Sequence, residues 1–283
     1  MAEEKKAKVV KPKKMADPIA ASIDPATQEM IVRAQKLDIE TVFDRAVTMK
    51  PCNIGMQGTC CKNCAMGPCR LPMPKAGIEG EDTRKGLCGA TANTIAARNF
   101  ARMVAAGTSA HSDHGRAVAE VFLSLARKET EDYKIKSPER LLQIAPYFGV
   151  ATTVEKDGEE LDRDFDEIAL EVAEKALAEW GKPEGELAYL KRAPAPLYER
   201  WKKLGVLPRN IDREVVEIMH RTHMGVDQDY KNIVKQCTRC SLADGWGGAM
   251  MATDLQDVMF GAPSPLQSEA NLGIMKGGPQ TMA

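Results

Sequence analysis

Cysteine placement is the sequence feature that most constrains this chain. Six of the eight cysteines in its 283 residues lie between positions 52 and 88, in the pattern Cys52-x7-Cys60-Cys61-x2-Cys64-x4-Cys69-x18-Cys88. The surrounding stretch is rich in glycine and proline and has no hydrophobic period, which predicts an irregular loop. Thiols gathered in one loop indicate either metal ligation or disulfides at that place.

Metal ligation is the stronger interpretation. Secreted disulfide proteins are usually shorter and spread their cysteines more evenly, and the basic N-terminus, MAEEKKAKVVKPKKM, lacks the apolar run of a secretory signal. A structural zinc site stays open as an alternative, because it would use the same Cys-x2-Cys loop.

Four of the thiols form a set that suits one cubane iron–sulfur cluster. A Cys-x2-Cys turn brings two sulfurs to one side, and two later cysteines complete the four ligands. Nearby glycine and proline residues let the backbone approach the cluster and point N–H groups at sulfur. The set is Cys61, Cys64, Cys69 and Cys88, with Gly67, Pro68, Gly86 and Gly89 beside it, and the cations Lys62 and Arg70 favour its reduced state.

Cys52 and Cys60 point to a second centre. Cys60 is adjacent to Cys61, and neighbouring side chains diverge, so Cys60 does not suit the same small cluster. Two thiolates cannot hold a cluster alone. A two-fold axis would supply the other two from a second copy of the chain, which predicts a cluster shared across a homodimer.

The rest of the pattern is mostly α-helical. Asp24-Pro25 is a helix start, and apolar residues recur at helical spacing through most of the chain after residue 90. Separate helices are predicted over Thr91–Ala106 and Gly115–Arg127, and the last over Asp229–Ala243. The domain organisation predicted is a disordered basic tail at 1–23, a helical cluster-binding domain at 24–276 with an exposed excursion at Leu71–Lys85, and an unrelated tail at 277–283.

Four long segments, at residues 51–70, 86–116, 201–225 and 240–273, resemble the catalytic subunit of anaerobic nickel–iron carbon monoxide dehydrogenases. The likeness runs from about Asp24 to Lys276. The related hybrid-cluster proteins have a different cysteine pattern at their start, and the later segments argue against them.

The resemblance implies ligands for two centres. Cys61, Cys64, Cys69 and Cys88 would match the ligands of the 4Fe–4S cluster called B. Cys52 and Cys60 would match those of cluster D at the subunit interface, as 4Fe–4S or, alternatively, 2Fe–2S. The gap between Cys69 and Cys88 is a few residues longer than is common in the family.

The resemblance also implies an activity. The family oxidises CO with water to CO2, two protons and two electrons at a nickel–iron–sulfur centre called cluster C, whose ligands come from later α/β (Rossmann-like) domains. Those domains are absent here and no cysteine is left for cluster C. We therefore expect a truncated chain that does not oxidise CO by itself, and whose role in the full enzyme is to pass electrons toward a ferredoxin-like acceptor.

Two histidines suggest a further role. His111 and His114 lie three residues apart at a predicted helix start, so they share a face. The resemblance suggests that they begin a proton relay from cluster C, although its next positions are Ala117 and Glu120. The alternative is that both histidines hydrogen-bond locally at a helix N-terminus.

A second histidine and cysteine group permits a zinc site. It comprises His220, His223, Cys237 and Cys240. The helical pattern around the two cysteines instead favours buried free thiols.

The expected partners follow from the same reasoning. They are a second copy of the chain, a ferredoxin-like acceptor and, by resemblance, acetyl-CoA synthase or hydrogenase. The net charge of −1 gives no general electrostatic reason to expect nucleic-acid binding. The sequence contains no stretch of 18 apolar residues, so no membrane span is predicted. A cytoplasmic location is expected. The functional alternatives are a non-catalytic iron–sulfur electron carrier and a zinc-stabilised structural domain.

Overall fold

The computed structural model of this chain describes residues 15–73 and 82–262. These residues fall into two compact units that divide between Met56 and Gln57. Helices dominate both units, so the predicted mostly α class is confirmed. The predicted tail at 277–283, residues 1–14 of the N-terminal tail and residues 74–81 of the excursion lie outside the described residues.

The first unit is built from short capped helices. They are α1 (Pro18–Ala21), α2 (Pro25–Lys36), α3 (Val42–Ala46) and α4 (Asn53–Met56). The predicted helix start is present, because the Asp24 carboxylate accepts a 2.8 Å hydrogen bond from the Thr27 N–H. The prediction of disorder was wrong for residues 16–21, because Ala16 is buried and Pro18–Ala21 form α1.

The second unit is organised around one long helix. Its elements are β1 (Cys60–Cys61), β2 (Cys69–Arg70), α5 (Ala92–Ala126), α6 (Pro138–Ile144), β3 (Thr153–Lys156), β4 (Glu159–Asp162), α7 (Phe165–Gly181), α8 (Ala195–Leu204), α9 (Ile211–Arg221), α10 (Tyr230–Ala243) and α11 (Met250–Phe260). A π-helical segment, Asp244–Ala249, joins α10 to α11, and 3₁₀ turns occupy Ala145–Phe148 and Ala188–Arg192. Both strand pairs are antiparallel.

Helix α5 corrects the prediction of two helices in this region. It runs unbroken for 35 residues, through Gly107 and the Ser112–Gly115 stretch that looked like a boundary. The reason is tertiary: small residues there are buried against other elements, and Gly115 lies so close to the π-helical segment that a Cβ would sit 2.7 Å from the Gly248 carbonyl oxygen. Packing thus overrides weak local helix propensity.

Two apolar clusters flank α5. Its C-terminal half packs with α6, α7 and α11 through residues such as Phe122, Ile168, Val172 and Leu255. Its N-terminal half uses small side chains, including Ala101 and Ala105, against α9 and α10. The hairpin β3–β4 and helix α11 were not predicted; they extend the fold without altering its class.

No helix within residues 15–73 and 82–262 combines the length and apolar character needed to cross a membrane.

Candidate metal centre

A short β-ladder places two of the predicted ligands opposite each other. Strand β1 pairs antiparallel with β2 so that Cys61 faces Cys69. The Leu71 N–H extends the ladder with a 3.0 Å hydrogen bond to the Thr59 carbonyl. Backbone pairing therefore brings these two cysteines together although eight positions separate them in the sequence.

The turn between the strands carries Cys64. The Gly67 N–H donates a 3.4 Å hydrogen bond to the Cys64 carbonyl, which closes the turn. A Cβ at Gly67 would lie 3.0 Å from the Cys61 carbonyl oxygen and 3.2 Å from the Cys69 nitrogen. A larger residue at Gly67 would require the backbone on either side to shift by a few tenths of an ångström.

The segment before α5 approaches Cys69 from the other side. The Leu87 N–H donates a 3.4 Å hydrogen bond to the Cys69 sulfur. A Cβ at Gly86 would lie 3.4 Å from the same sulfur. The backbone therefore presents an N–H to sulfur beside Gly86, where the glycine pattern predicted a close approach.

Cys88 has a charged hydrogen-bond donor. The Arg98 Nη1 donates a 3.3 Å hydrogen bond to its sulfur. Burial alone would raise the pKa of Cys88, but hydrogen bonds from Arg98 and from the backbone N–H groups of Ala90 and Gly225 outweigh it and lower the pKa to about 7. Thiolate character, which iron requires, is favoured at this position.

An apolar cluster joins three of the four thiols. Cys61 is buried in it, and Cys69 and Cys88 pack against it as partly buried side chains; its other buried members are Leu71, Ala90 and Ile95. Cys64 is half-buried. All four thiols are free of disulfide bonds. Within residues 15–73 and 82–262, no three His, Cys, Asp or Glu side chains are grouped so that they could hold a single metal ion.

The donor set fits an iron–sulfur cluster. Four thiols, an N–H directed at sulfur and a low-polarity pocket are the features such clusters use. In a cubane each thiolate binds a different iron, so the sulfurs need not converge on one point.

Cys52 and Cys60 lie in different units of the chain. Cys52 is exposed and immediately precedes α4, whereas Cys60 is half-buried in β1. The Asn99 side chain on α5 holds the backbone around Cys60, donating hydrogen bonds to the carbonyls of Gly58 (2.8 Å) and Cys60 (3.0 Å).

The two predicted relay histidines differ in environment. His111 Nδ1 lies 2.7 Å from Asp244 Oδ1 of the π-helical segment, whereas His114 is exposed. Burial raises the pKa of Asp244, and the hydrogen bond with His111 partly offsets this. Both histidines lie inside α5, so the predicted helix start at this point was wrong.

The second candidate group does not come together among the described residues. His220 and His223 are exposed, while Cys237 and Cys240 are buried in the α5–α10 interface. Burial raises the pKa of the two thiols to about 11 and about 12, and the Cys240 sulfur donates to Thr108 Oγ1 at 3.3 Å. These are packed, protonated thiols, as the helical pattern favoured.

Arg98 is a site residue that the sequence analysis missed. The predicted cations Lys62 and Arg70 are both exposed, whereas Arg98 is buried and touches the site. The signal was available: Arg98 stands in the buried stripe of α5, between Ile95 and Ala101, where a charged side chain needs a partner.

Comparison with known proteins gives consistent results. A sequence model described as "Prismane/CO dehydrogenase family" matches residues 59–282, a range that includes most of the tail expected to be unrelated. Carbon monoxide dehydrogenase 1 of Methanosarcina acetivorans is 46% identical over 256 residues, which cover 90% of this chain and 38% of that protein.

Solved structures agree. The Ni-free carbon monoxide dehydrogenase of Thermococcus sp. AM4 superposes with a TM-score of 0.76 at 44% identity, covering 89% of this chain and 38% of that one. A structure of acetyl-CoA synthase/carbon monoxide dehydrogenase, described with NiZn[Fe4S4] and NiNi[Fe4S4] clusters, superposes with a TM-score of 0.73 at 33% identity, covering 92% and 37%. The chain thus spans little more than a third of the length of these relatives.

Proposed function

This chain belongs to the Prismane/CO dehydrogenase family, and we propose that it is the N-terminal electron-relay and dimerisation part of a nickel carbon monoxide dehydrogenase. The observation that carries the proposal is the arrangement around the β1–β2 ladder. There Cys61 faces Cys69, and Gly86 and Leu87 bring the backbone against the Cys69 sulfur.

Four side chains would hold the cluster that corresponds to B. They are Cys61, Cys64, Cys69 and Cys88. When bound, a 4Fe–4S cluster supplies reversible one-electron transfer. The chain's own contribution is to pack three of the four thiols in one apolar cluster, to direct the Leu87 N–H at one sulfur and to favour the thiolate of Cys88.

Cys52 and Cys60 would each contribute one ligand to a cluster shared with a second copy of the chain. The surface of α5 beside Cys60 supports a homodimer. Phe100 is 54% exposed and Met103 is 73% exposed, and both follow Asn99, which binds the Cys60 carbonyl. Large exposed apolar side chains beside an incomplete set of ligands could be buried by a second copy of the chain.

In the whole enzyme we propose the reaction CO + H2O → CO2 + 2 H⁺ + 2 e⁻, with a ferredoxin-type acceptor. Acetyl-CoA synthase, which one related structure contains, or a hydrogenase is the proposed assembly partner. All eight cysteines of this chain are accounted for by the two cluster sets and by the buried pair on α10, so these 283 residues offer no thiol to the catalytic nickel–iron centre.

His111 is the proposed proton carrier toward solvent, with Asp244 orienting its ring. An imidazole suits this role because its ordinary pKa lies near neutrality. Exposed His114 lies on the same helix one turn later and would receive the proton.

Iron and sulfide analysis of the chain prepared without oxygen tests the B site. The wild type should be brown, and Cys61→Ala should lose about four iron per chain. Cys237→Ala, which removes a thiol from the apolar core, is the matched control and should retain them. A colourless, zinc-containing wild type would contradict the proposal, and CO-dependent viologen reduction by this chain alone would contradict the assignment of the catalytic centre to other residues.

Iron analysis tests the shared cluster, and analytical ultracentrifugation tests the dimer surface. Cys52→Ala and Cys60→Ala should each lower iron per dimer, and Met103→Asp should shift the protein toward monomer. Val154→Asp changes another exposed apolar residue, 49% exposed on the β3–β4 hairpin, and should leave the dimer intact. Unchanged assembly and iron content in both cysteine variants would exclude a shared cluster.

A further inference from the structure

A buried cation lies against the candidate cluster site. Arg98 on α5 is 1% exposed and is the largest fully buried side chain in the described part of the protein. Its neighbours along the buried stripe are small or apolar, so local packing gives no reason for a guanidinium there. Burying a charge of this size is costly unless it is paired and hydrogen-bonded.

The contacts of Arg98 are few and directed. Nη1 donates to the Cys88 sulfur at 3.3 Å, and Nη2 donates to the Asp227 carbonyl at 2.7 Å. Nε is buried and has no hydrogen-bond partner among the described residues. In residues 15–73 and 82–262, no carboxylate lies within ion-pair distance of Arg98, and the side chain of Asp227 is instead paired with Arg221 at 2.8 Å.

Neighbouring groups fix Arg98 in this position. The loop between α9 and α10 supplies the Asp227 carbonyl, and its next residue, Gln228, donates a 2.8 Å hydrogen bond to the Cys88 carbonyl. The Thr94 hydroxyl, one turn before Arg98, donates to the Gln228 carbonyl at 2.7 Å. Guanidinium, loop and Cys88 therefore form one connected unit.

The only anion that the geometry offers to Arg98 in this described region is the Cys88 thiolate. We propose that Arg98 is a positioning residue that raises the reduction potential of the cluster held by Cys61, Cys64, Cys69 and Cys88. This inference rests on the proposed function. Reduction adds one negative charge to the cluster, and a buried guanidinium that donates to a ligand sulfur stabilises the more negative state more strongly.

The size of the effect follows from the hydrogen bond. Hydrogen bonds that involve a charged donor are stronger than neutral ones, and this one should be stronger still in the more negative state. The ratio of reduced to oxidised cluster should change on the order of tenfold, which is about 59 mV for one electron. Lys62 and Arg70 are exposed, and solvent and salt screen their charges. Their effect should be much smaller, although they lie closer to the cysteines in sequence.

EPR-monitored redox titration of the 283-residue chain tests this, with Cys60→Ala present so that one cluster is observed. Arg98→Met removes the charge and both hydrogen bonds, and should lower the ratio of reduced to oxidised cluster at a fixed potential about tenfold. Arg98→Lys keeps the charge but cannot make both bonds, and should give a smaller decrease of the same sign. Arg70→Met is the control and should leave the titration unchanged.

Equal midpoints for wild type and every Arg98 variant that retains the cluster would overturn the inference. If Arg98→Met does not retain the cluster, the inference is tested by the midpoint of Arg98→Lys and by a spectroscopic measurement on the Arg98 side chain of the wild type. In protein labelled with ¹⁵N-arginine, electron spin-echo modulation should show a weakly coupled nitrogen that Arg98→Lys abolishes and Arg70→Lys preserves. Absence of that coupling would also overturn the inference.

The proposed function fails in a different way. A wild-type chain without any cluster signal would reject cluster binding itself. A wild-type signal whose midpoint does not respond to Arg98 would leave cluster binding intact and reject only the role of Arg98.

Discussion

The Arg221 guanidinium donates a 2.8 Å hydrogen bond to the carboxylate of Asp227, and this ion pair secures the loop between α9 and α10. The same loop carries the carbonyl that receives Arg98 and the amide side chain that binds the Cys88 backbone. Residues more than 120 positions beyond the cysteine loop are therefore in contact with Arg98 and with the backbone of Cys88.

Arg221→Met should destabilise the protein by about 1–3 kcal/mol, because Arg221 binds two largely buried carboxylates. Asp227 would lose its charged partner, and Glu217 would keep only its pairs with other arginines, including Arg209. Chemical denaturation followed by circular dichroism measures this. The control is Arg127→Met, whose 3.9 Å ion pair with Glu174 is exposed on both sides; it should change stability by less than about 1 kcal/mol. Equal losses in the two variants would show that the loop pair is not special.

The stability of the protein should fall in acid through Glu217. Burial alone would raise the pKa of Glu217, but hydrogen bonds from Arg209 and Arg221 outweigh it and hold the pKa below its usual value of 4.5. A group whose folded pKa is lowered stabilises the fold above its unfolded pKa, and this contribution is lost as the pH falls through the folded pKa.

Glu217→Gln should therefore be less stable than wild type at neutral pH, and the difference should shrink as the pH falls from about 7 to about 3. Denaturant titrations at a series of pH values measure the difference directly. A constant difference at every pH would mean that ionisation of Glu217 does not contribute.

Gly115→Ala should destabilise the protein by about 1–3 kcal/mol, because the added Cβ would meet the Gly248 backbone at 2.7 Å and neither backbone can move easily. Gly107→Ala on the same helix is a matched control: a Cβ there meets nothing within 4 Å, and alanine is a better helix former. It should be neutral or stabilising by up to about 1 kcal/mol. Thermal unfolding separates the two, and similar losses would argue against a close crossing of α5 and the π-helical segment.

His111→Ala should lower stability by about 1–2 kcal/mol, because Asp244 loses the partner that offsets its burial. His114→Ala, three residues away but exposed, should have little effect. Urea denaturation compares them. If the His114 variant were the more damaging, the assignment of His111 as the residue paired in the interior would fail.

The amino-acid sequence by itself determined the helical class and the helix start at Asp24, and it predicted the set of thiols and neighbouring glycines proposed for a cluster. These are local properties: spacing sets helix faces, and a Cys-x2-Cys turn or a glycine beside a crowded backbone acts within a few residues. The family resemblance extended this to ligand assignments, which the experiments above test.

Only the tertiary structure decided the rest. It joined two predicted helices into α5. The packing of buried small residues stabilises a continuous helix there, although the local helix propensity is weak. It paired His111 with Asp244, 133 positions away. It also placed Arg98 between Cys88 and the loop after α9. Such contacts depend on which distant segments meet in space. The local pattern around Arg98 indicated that it needs a partner, but it could not identify that partner.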